Sequence, residues 1–318
     1  MMEQRQLDGI GLVSTLTLGG GGLGQLWGPT SRDEAVATVR RAVEAGINLL
    51  DLAPLYGNGE AERVIGEAFA GDLPAGVRVE TKCFLGTPPA DELYPRLSAS
   101  LDESLERMRL KRVDVYLLHG NIAKEVSADA AARTTSRGLF RTAVVAAFQR
   151  LVGEGRIGAW GISGIGDPAA IIETLEDDAK PAVVQCITNV LDSAGGLKRF
   201  DGEARPREII AAATRNGVGV LGIRAVQAGA LVDTPDRELR GADLADFERA
   251  APFRRLAQEL GTTAAALAHR YALSIEGVSS VVLGVKNREE LEECIAAASE
   301  GALGADVVAR IDAAVGRG

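Results

Sequence analysis

The sequence predicts an α/β protein built as a single (β/α)₈ TIM barrel. Short β-rich runs alternate with amphipathic segments along all 318 residues, and eight units of this kind can be counted. No polar or proline-rich linker interrupts the series. Because eight βα units close into one barrel of about this length, residues 1–318 are predicted to form one domain.

The predicted elements follow the change of hydrophobic period from two to 3.6 residues. The first ~14 residues are expected to form a hairpin over the barrel floor, and 302–317 an extra terminal helix, as the period of these segments suggests. The strands are predicted at 15–19, 46–51, 77–83, 112–119, 157–162, 182–187, 217–223 and 279–283. The helices are predicted at 32–45, 60–71, 90–108, 140–154, 167–177, 205–216, 252–273 and 287–298.

Several local signals support these boundaries. Ser31 followed by Glu34 is a capping box, in which hydroxyl and carboxylate both bind backbone donors of the first helical turn. Gly46 and Gly217 lie where helices must stop. The connections 120–139 and 224–251 are long, and since long βα loops lie on the catalytic face of a barrel, both are candidate covers for substrate and cofactor.

Composition limits the kind of partner and compartment. The net charge is −9, from 44 acidic and 35 basic residues, which argues against nucleic acid and anionic membranes and favours a small molecule. The polar N-terminus has no signal-peptide core, and no run is long enough to span a bilayer. Cys83, Cys186 and Cys294 lack disulfide or zinc spacing, so no metal is predicted and a reducing cytoplasm fits. The sequence specifies no oligomeric state.

A glycine-rich segment, 19–24, matches the GxGxxG pattern of dinucleotide-binding turns. In that motif the last glycines open a helix that holds the pyrophosphate. Here six residues separate Gly24 from the capping box at Ser31. The Rossmann interpretation is therefore disfavoured, and the glycines are expected to let the backbone approach a ligand at the barrel mouth.

Three of the predicted strands end on ionisable residues of different kinds: Asp51, Lys82 and His119. Because ends of parallel strands meet at one rim, the three side chains are expected to converge. Tyr56 follows in the loop after Asp51 and could fold over the same rim. A carboxylate, an ammonium, an imidazole and a phenol in one cleft indicate proton transfer near neutral pH, with Lys82 stabilising the phenolate of Tyr56.

The segment 46–57, GINLLDLAPLYG, resembles the signature of the aldo-keto reductases, and 62–66, ERVIG, looks like its continuation. The resemblance extends across the whole chain. It implies a catalytic tetrad of Asp51, Tyr56, Lys82 and His119, with Tyr56 as general acid in the reduction of an aldehyde or ketone to an alcohol. None of these side chains carries a hydride, so the reaction needs a nicotinamide.

The resemblance also implies cofactor contacts. Ser163 and Gln185 match residues that hold the nicotinamide carboxamide, while Gly164 replaces an asparagine of the family pattern. Ile223 and Arg224 lie where the family commonly offers a stacking tyrosine. The segment 282–291 resembles the grip on the adenosine phosphate, where Gly284, Val285, Lys286 and Arg288 are the predicted contacts. Lys286 and Arg288 favour NADPH over NADH, although Glu289 and Glu290 place negative charge in the same turn.

The predicted substrate contacts are Trp27, Leu55 and Asn121. His119-Gly120-Asn121 departs from the family's HxPD pattern, so substrate positioning there is expected to differ. The sequence around Pro54 and Gly59 resembles that of family members that oxidise sugars or pyridoxal. The oxidative direction is therefore an alternative. His269 is predicted to be structural.

Two rival functions remain open at this stage. A barrel hydrolase could use Asp51 and Asp114 as paired carboxylates, but Asp51 ends a strand while Asp114 begins one, so the two are expected near opposite rims. A non-catalytic barrel could bind nicotinamide as a redox sensor or subunit. The intact Tyr56 and Lys82 argue against that alternative, and the departures at Gly164 and Ile223 keep it open.

Overall fold

Eight parallel strands pair side by side into a closed ring in the computed structural model, which describes residues 2–317. The last strand pairs with the first, with Val281 opposite Leu16. The predicted (β/α)₈ barrel is therefore confirmed. The barrel strands are Leu16–Gly19, Leu49–Asp51, Arg78–Cys83, Val113–Leu118, Ile157–Ser163, Val183–Ile187, Gly219–Ile223 and Val278–Leu283.

Helices cover the outside of this ring and bury one face each against it. The outer core that they form with the strands runs from Leu16 to Ile311. The α-helices of eight or more residues are Arg32–Glu44, Glu60–Phe69, Leu93–Met108, Val145–Gly153, Pro168–Leu175, Pro206–Arg215, Gly241–Arg249, Ala251–Glu259, Ala264–Leu273, Arg288–Ser299 and Ala305–Ala314. Short helical turns are Gly20–Leu23, Ala90–Glu92, Arg137–Leu139, Phe140–Val144, Gly195–Leu197 and Gln227–Gly229.

The predicted N-terminal hairpin and C-terminal helix are both present. Strands Gln4–Leu7 and Gly11–Ser14 pair antiparallel. Leu7 and Val13 of this hairpin join an inner apolar cluster with residues of the barrel strands, including Leu49 and Leu221. The hairpin thus closes the lower end of the barrel, which leaves the carboxyl end of the strands as the open rim.

Three predicted segments differ from the structure. The segment predicted as one helix at 252–273 is two helices, because Gly261 adopts a positive φ of 69° and Thr263 caps the second helix by accepting from the amide of Ala266. Glycine after a helix and threonine before the next are the usual stop and start signals. The predicted loop 224–251 contains the helix Gly241–Arg249, and loop 120–139 contains the paired strands Asn121–Ala123 and Thr134–Ser136.

The capping box at Ser31 is only half correct. The hydroxyl of Ser31 accepts from the amide of Glu34 at 3.1 Å, as predicted. The carboxylate of Glu34 does not return to the cap. It accepts instead from the backbone amide of Arg288 at 2.9 Å and from its guanidinium, because an ion pair is a stronger attraction for a carboxylate than a neutral amide.

The glycine-rich segment packs against the protein's own backbone, and the approach of a ligand to it stays a prediction. A Cβ on Gly22 would lie 1.9 Å from the carbonyl oxygen of Val285, and one on Gly24 would lie 2.5 Å from the carbonyl carbon of Tyr56. Residues Gly20–Leu23 form one helical turn. The glycines therefore bring the first strand against the eighth strand and against the loop of Tyr56. The Rossmann interpretation fails because the sheet is closed.

No helix within residues 2–317 has the length and apolar character that crossing a membrane requires. In the same residues the three cysteines are free and buried.

Candidate active site

The four predicted catalytic residues meet at the open rim of the barrel. Asp51 is the last residue of the second strand, Lys82 lies near the end of the third, and His119 directly follows the fourth. The Tyr56 and His119 rings lie edge to face with centroids 5.9 Å apart. The structure thus brings together all four side chains that the sequence predicts.

Lys82 is fully buried and uses all three of its ammonium hydrogens. It forms an ion pair with Asp51, donates to the carbonyl oxygen of Leu52 at 2.8 Å and donates to the hydroxyl oxygen of Tyr56 at 3.1 Å. Three acceptors around one nitrogen fit a charged ammonium. Because the Tyr56 oxygen is the acceptor in this contact, the phenolic hydrogen is free to point into the cleft.

Burial dominates the acidity of Tyr56. Desolvation raises the pKa of its phenol to about 12, and the opposing effect of the Lys82 charge is reduced by Asp51. The sequence predicts that Lys82 stabilises the phenolate, and the Lys82 charge does lower the pKa of Tyr56. Burial raises that pKa by more, so the net shift of the pKa is upward. Tyr56 is therefore a protonated phenol at neutral pH, which is the form that donates a proton.

The pKa of Lys82 is raised and the pKa of His119 is lowered in the same surroundings. Burial lowers the pKa of Lys82, but Asp51 and then Tyr56 and Glu80 outweigh burial, so its pKa is raised. Burial, followed by the Lys82 charge, lowers the pKa of His119 to about 3. The imidazole of His119 is consequently neutral near pH 7 and suits orientation of an oxygen by hydrogen bonding better than proton release.

A polar layer beneath the tetrad was not predicted. Glu80 is completely buried inside the barrel, opposite Asp51 in the strand register. The amide nitrogen of Gln185 crosses the interior and donates to Asp51 at 2.9 Å and to Glu80 at 2.7 Å. Glu80 could have been found from the sequence, because it precedes Lys82 by two residues and side chains alternate along a strand.

The residues predicted to hold the nicotinamide carboxamide fit that group. The hydroxyl of Ser163 is buried and has no hydrogen-bond partner within residues 2–317. Gln185 uses its amide hydrogens on Asp51 and Glu80, which leaves its oxygen as an acceptor. A Cβ on Gly164 would lie 2.7 Å from the Gln185 carbonyl oxygen. The asparagine of the family pattern would therefore clash with the Gln185 backbone, which explains the glycine at position 164.

Ile223 and Arg224 end the seventh strand and begin the long loop 224–251. The carbonyl oxygen of Ile223 accepts from the amide of Thr188 at 3.1 Å. Arg224, at a positive φ of 59°, donates to Gln227 at 2.7 Å and to Asp243 at 2.9 Å. The guanidinium therefore anchors its own loop, and cofactor contact by Arg224 stays a prediction.

The two cations predicted to bind a 2′-phosphate are already paired with carboxylates. Lys286 contacts Asp236 and lies 2.8 Å from Glu290. Arg288 pairs with Glu34 at 2.9 Å. The contact between Lys286 and Asp236 also joins the long loop 224–251 to the turn after the eighth strand. A phosphate at this position would have to compete with three carboxylates.

Gly284 and Val285 connect the eighth strand to Lys286. Val285 is buried, and its carbonyl oxygen faces Gly22. The indole nitrogen of Trp27 lies close to Gly21 and Gly284, and Arg237 stacks over the same ring at 5.5 Å. Trp27 is thus placed beside the strand ends that carry the predicted phosphate contacts.

Leu55 and Phe84 are the exposed apolar residues nearest in sequence to the tetrad. The Phe84 ring lies 6.3 Å from the His119 ring. Phe84 was missed in the sequence analysis, although its place two residues after Lys82 could have revealed it. Asn121 is buried in the short strand Asn121–Ala123, and no hydrogen bond within residues 2–317 joins its side chain to the tetrad.

The paired-carboxylate alternative fails, for a different reason from the expected one. Asp114 does not lie near the opposite rim. In the strand register Asp51 is opposite Glu80, and Glu80 is opposite Val115, the residue after Asp114. Val115 belongs to the inner cluster, so Asp114 faces outward. Its carboxylate accepts from the amide of Val79 at 2.9 Å. Asp51 and Asp114 therefore lie on opposite faces of the sheet.

His269 and the acidic residues supply no further centre. His269 is buried in its helix and bonds to the carbonyl oxygen of Ala265 at 2.9 Å, in agreement with a structural role. Among residues 2–317, no group of histidine, cysteine, aspartate and glutamate side chains is arranged to hold a metal ion.

Comparison with known proteins agrees with this geometry. The family model described as Aldo/keto reductase family matches residues 15–315. L-galactose dehydrogenase of Arabidopsis thaliana is 30% identical over 304 residues, which cover 94% of this chain and 89% of the relative. Pyridoxal 4-dehydrogenase of Microbacterium luteolum is 26% identical over 330 residues, covering 92% and 91%.

Solved structures show the same fold. The holo form of an aldo-keto reductase from Bacillus halodurans superimposes with a TM-score of 0.75 at 23% identity, covering 99% of this chain and 96% of that one. A glycerol dehydrogenase from Gluconobacter oxydans superimposes with a TM-score of 0.73 at 20% identity, and the match covers 99% of this chain and 95% of that one. At these identities the likeness concerns the fold.

The fold, the rim residues and the family match together define an oxidoreductase built on a (β/α)₈ barrel. The chain belongs to the aldo/keto reductase family.

Proposed function

We propose that this protein interconverts a carbonyl compound and an alcohol with a nicotinamide cofactor, and that Tyr56 is the general acid in the reductive direction. The observation that carries the proposal is the contact of 3.1 Å between the Tyr56 hydroxyl and Lys82, whose ammonium is paired with Asp51. A half-buried, protonated phenol held by its oxygen has its hydrogen available for a carbonyl oxygen in the cleft.

Each member of the tetrad has one part in this proposal. Tyr56 donates its proton to the carbonyl oxygen as the alcohol forms, and Lys82 stabilises the phenolate that remains. Asp51 fixes Lys82, and the neutral His119 orients the carbonyl oxygen. A bound nicotinamide would supply the hydride. Ser163 and Gln185, whose hydroxyl and amide oxygen have no hydrogen-bond partner within residues 2–317, would hold the carboxamide of that group.

The reductive substrate is an aldehyde or ketone, and its proposed contacts are Leu55, Phe84 and Trp27. A second candidate is the oxidation of a sugar or pyridoxal hydroxyl, which the similarity to L-galactose dehydrogenase and pyridoxal 4-dehydrogenase favours. In that direction the phenolate of Tyr56, stabilised by Lys82, accepts the proton. The same four side chains serve both directions by microscopic reversibility.

NADPH remains the proposed cofactor on the sequence evidence of Lys286 and Arg288. Their ion pairs with Asp236, Glu290 and Glu34 oppose that choice, because binding a 2′-phosphate requires them to exchange partners. The cofactor choice therefore depends on which of these attractions is stronger.

The decisive experiment is a titration of the protein with NADPH and NADH, followed by turnover measurements with the tighter nucleotide. A panel of aldehydes and ketones tests reduction, and sugars and pyridoxal with the oxidised nucleotide test the other direction. Nicotinamide-dependent turnover of any of these supports the proposal. Binding of nucleotide without turnover of any substrate class would favour the non-catalytic barrel instead.

A further inference from the structure

Glu80 is a buried acid for which the proposed reaction has no direct use. Its side chain is 0% exposed, and it lies two residues before Lys82 on the third strand, opposite Asp51 on the second. Oε1 accepts from the amide of Gln185 at 2.7 Å. Oε2 finds no hydrogen-bond donor within residues 2–317. An acceptor without a donor in a dry interior is costly, unless the oxygen itself carries a hydrogen.

The charges around Glu80 favour the protonated, neutral form of its carboxyl group. The groups that act on it are Asp51 and Lys82, and these two already form an ion pair. A second ionised carboxylate would leave an uncompensated negative charge inside the barrel. Burial, followed by the charge of Asp51 and a hydrogen bond with it, accordingly raises the pKa of Glu80 well above its usual value. Lys82 and Gln185 lower it by less.

We infer that Glu80 is a positioning residue whose neutral carboxyl group donates a hydrogen bond to Asp51 and accepts one from Gln185. The two contacts fix Asp51 beneath Lys82. They also use the amide hydrogens of Gln185, so that its oxygen is turned toward the nicotinamide carboxamide. This inference rests on the proposed function for its consequence, but the protonation of Glu80 does not depend on it.

A matched pair of variants separates this role from simple filling of space. In Glu80→Gln the new amide can donate to Asp51 and accept from Gln185, as the neutral acid does. In Glu80→Leu both hydrogen bonds are lost while the volume and the absence of charge are kept. Thermal unfolding of both variants shows whether each is folded before its activity is compared with the wild type.

Infrared spectroscopy of the protein without nucleotide tests the protonation directly. The wild type should show the carbonyl stretch of a protonated carboxylic acid at neutral pH, and this band should be missing from the spectrum of Glu80→Gln. If the wild-type and Glu80→Gln spectra are the same in that region, Glu80 is ionised and the inference is overturned. This readout needs neither nucleotide nor substrate.

Nucleotide binding and turnover test the positioning. Glu80→Gln should keep the dissociation constant and kcat close to wild type, and its turnover should be less sensitive to alkaline pH because no acid remains at 80 to ionise. Glu80→Leu should bind NADH and NADPH at least about tenfold more weakly, since Gln185 loses a buried acceptor. Equal damage in both variants would overturn the inference.

Failure of the proposed function gives a different pattern. In that case the wild type turns over no carbonyl compound or alcohol with either nucleotide, whether or not a nucleotide binds, whereas the infrared difference between wild type and Glu80→Gln is unchanged.

Discussion

The backbone of Gly24 lies directly against that of Tyr56, so closely that a Cβ on Gly24 would be 2.5 Å from the Tyr56 carbonyl carbon. The contact makes the glycine-rich segment a support for the loop that carries the phenol. It also links the first barrel strand to the geometry of the tetrad, although no residue of that segment is ionisable.

Gly24→Ala should displace Tyr56 from Lys82 and lower kcat on the order of 10²-fold, because catalysis is sensitive to misplacement of about 1 Å. The matched control is Gly138→Ala, where a Cβ would have nothing within 4 Å. Steady-state kinetics of both variants, with thermal unfolding to confirm folding, provide the measurement. Wild-type kcat in Gly24→Ala would contradict this role for the contact.

Tyr56→Phe should abolish most turnover while leaving the nucleotide dissociation constant nearly unchanged. Removal of a general acid costs on the order of 10²–10⁴-fold in rate, and the lost hydroxyl is not among the proposed nucleotide contacts. Tyr94→Phe is the control, because the Tyr94 hydroxyl bonds to Glu154 on the surface at 2.9 Å. Retention of wild-type kcat in Tyr56→Phe would remove this residue from the mechanism.

The pH dependence of kcat/KM should have no acid limb between about pH 5 and 8, the range in which histidines usually titrate. The pKa of His119 is lowered to about 3, so its imidazole is neutral throughout that range. Tyr56, with its pKa raised to about 12, stays protonated until the solution is strongly alkaline. Reduction should therefore decline as pH rises toward that value, and oxidation should increase.

The profile is measured for the free enzyme at low substrate concentration, where kcat/KM reports the ionisation of its essential groups. A comparison with His119→Gln identifies any contribution from the imidazole. An acid limb near pH 6.5 that disappears in His119→Gln would show that His119 is charged in the working enzyme.

Neutralising the carboxylates around Lys286 and Arg288 should improve NADPH binding. Asp236→Asn combined with Glu34→Gln removes two of the three carboxylates and leaves only Glu290 paired with Lys286, and charge-assisted contacts contribute roughly 1.5–3 kcal/mol each. We expect NADPH affinity to rise at least about tenfold, with little change for NADH. Binding of both nucleotides is measured by fluorescence titration.

The reciprocal variant removes the cations themselves. Lys286→Ala combined with Arg288→Ala should weaken NADPH binding at least about tenfold and leave NADH binding nearly unchanged. If both pairs of substitutions affect the two nucleotides equally, the 2′-phosphate does not lie at this turn. A wild-type preference for NADH would show that the carboxylates determine the cofactor.

The barrel and the tetrad could be predicted because both depend on local patterns. Each strand is a short apolar run, and Asp51, Lys82 and His119 follow from where those runs end. Contacts between residues that are far apart in the sequence could not be predicted. The pairing of Glu34 with Arg288 joins residues 254 positions apart, and no local period indicates it. The pKa of Tyr56 depends on burial beneath loops whose course the sequence pattern does not specify.

The closing of the ring has a consequence for how the chain folds. The first strand, Leu16–Gly19, hydrogen-bonds to the last, Val278–Leu283, so its edge has no partner until nearly the whole chain has been synthesised. Pairings between distant segments are slow to form, and an open strand edge invites association with other chains. We expect refolding to be limited by this late closure, and protein concentration to decide the competition between closure and aggregation.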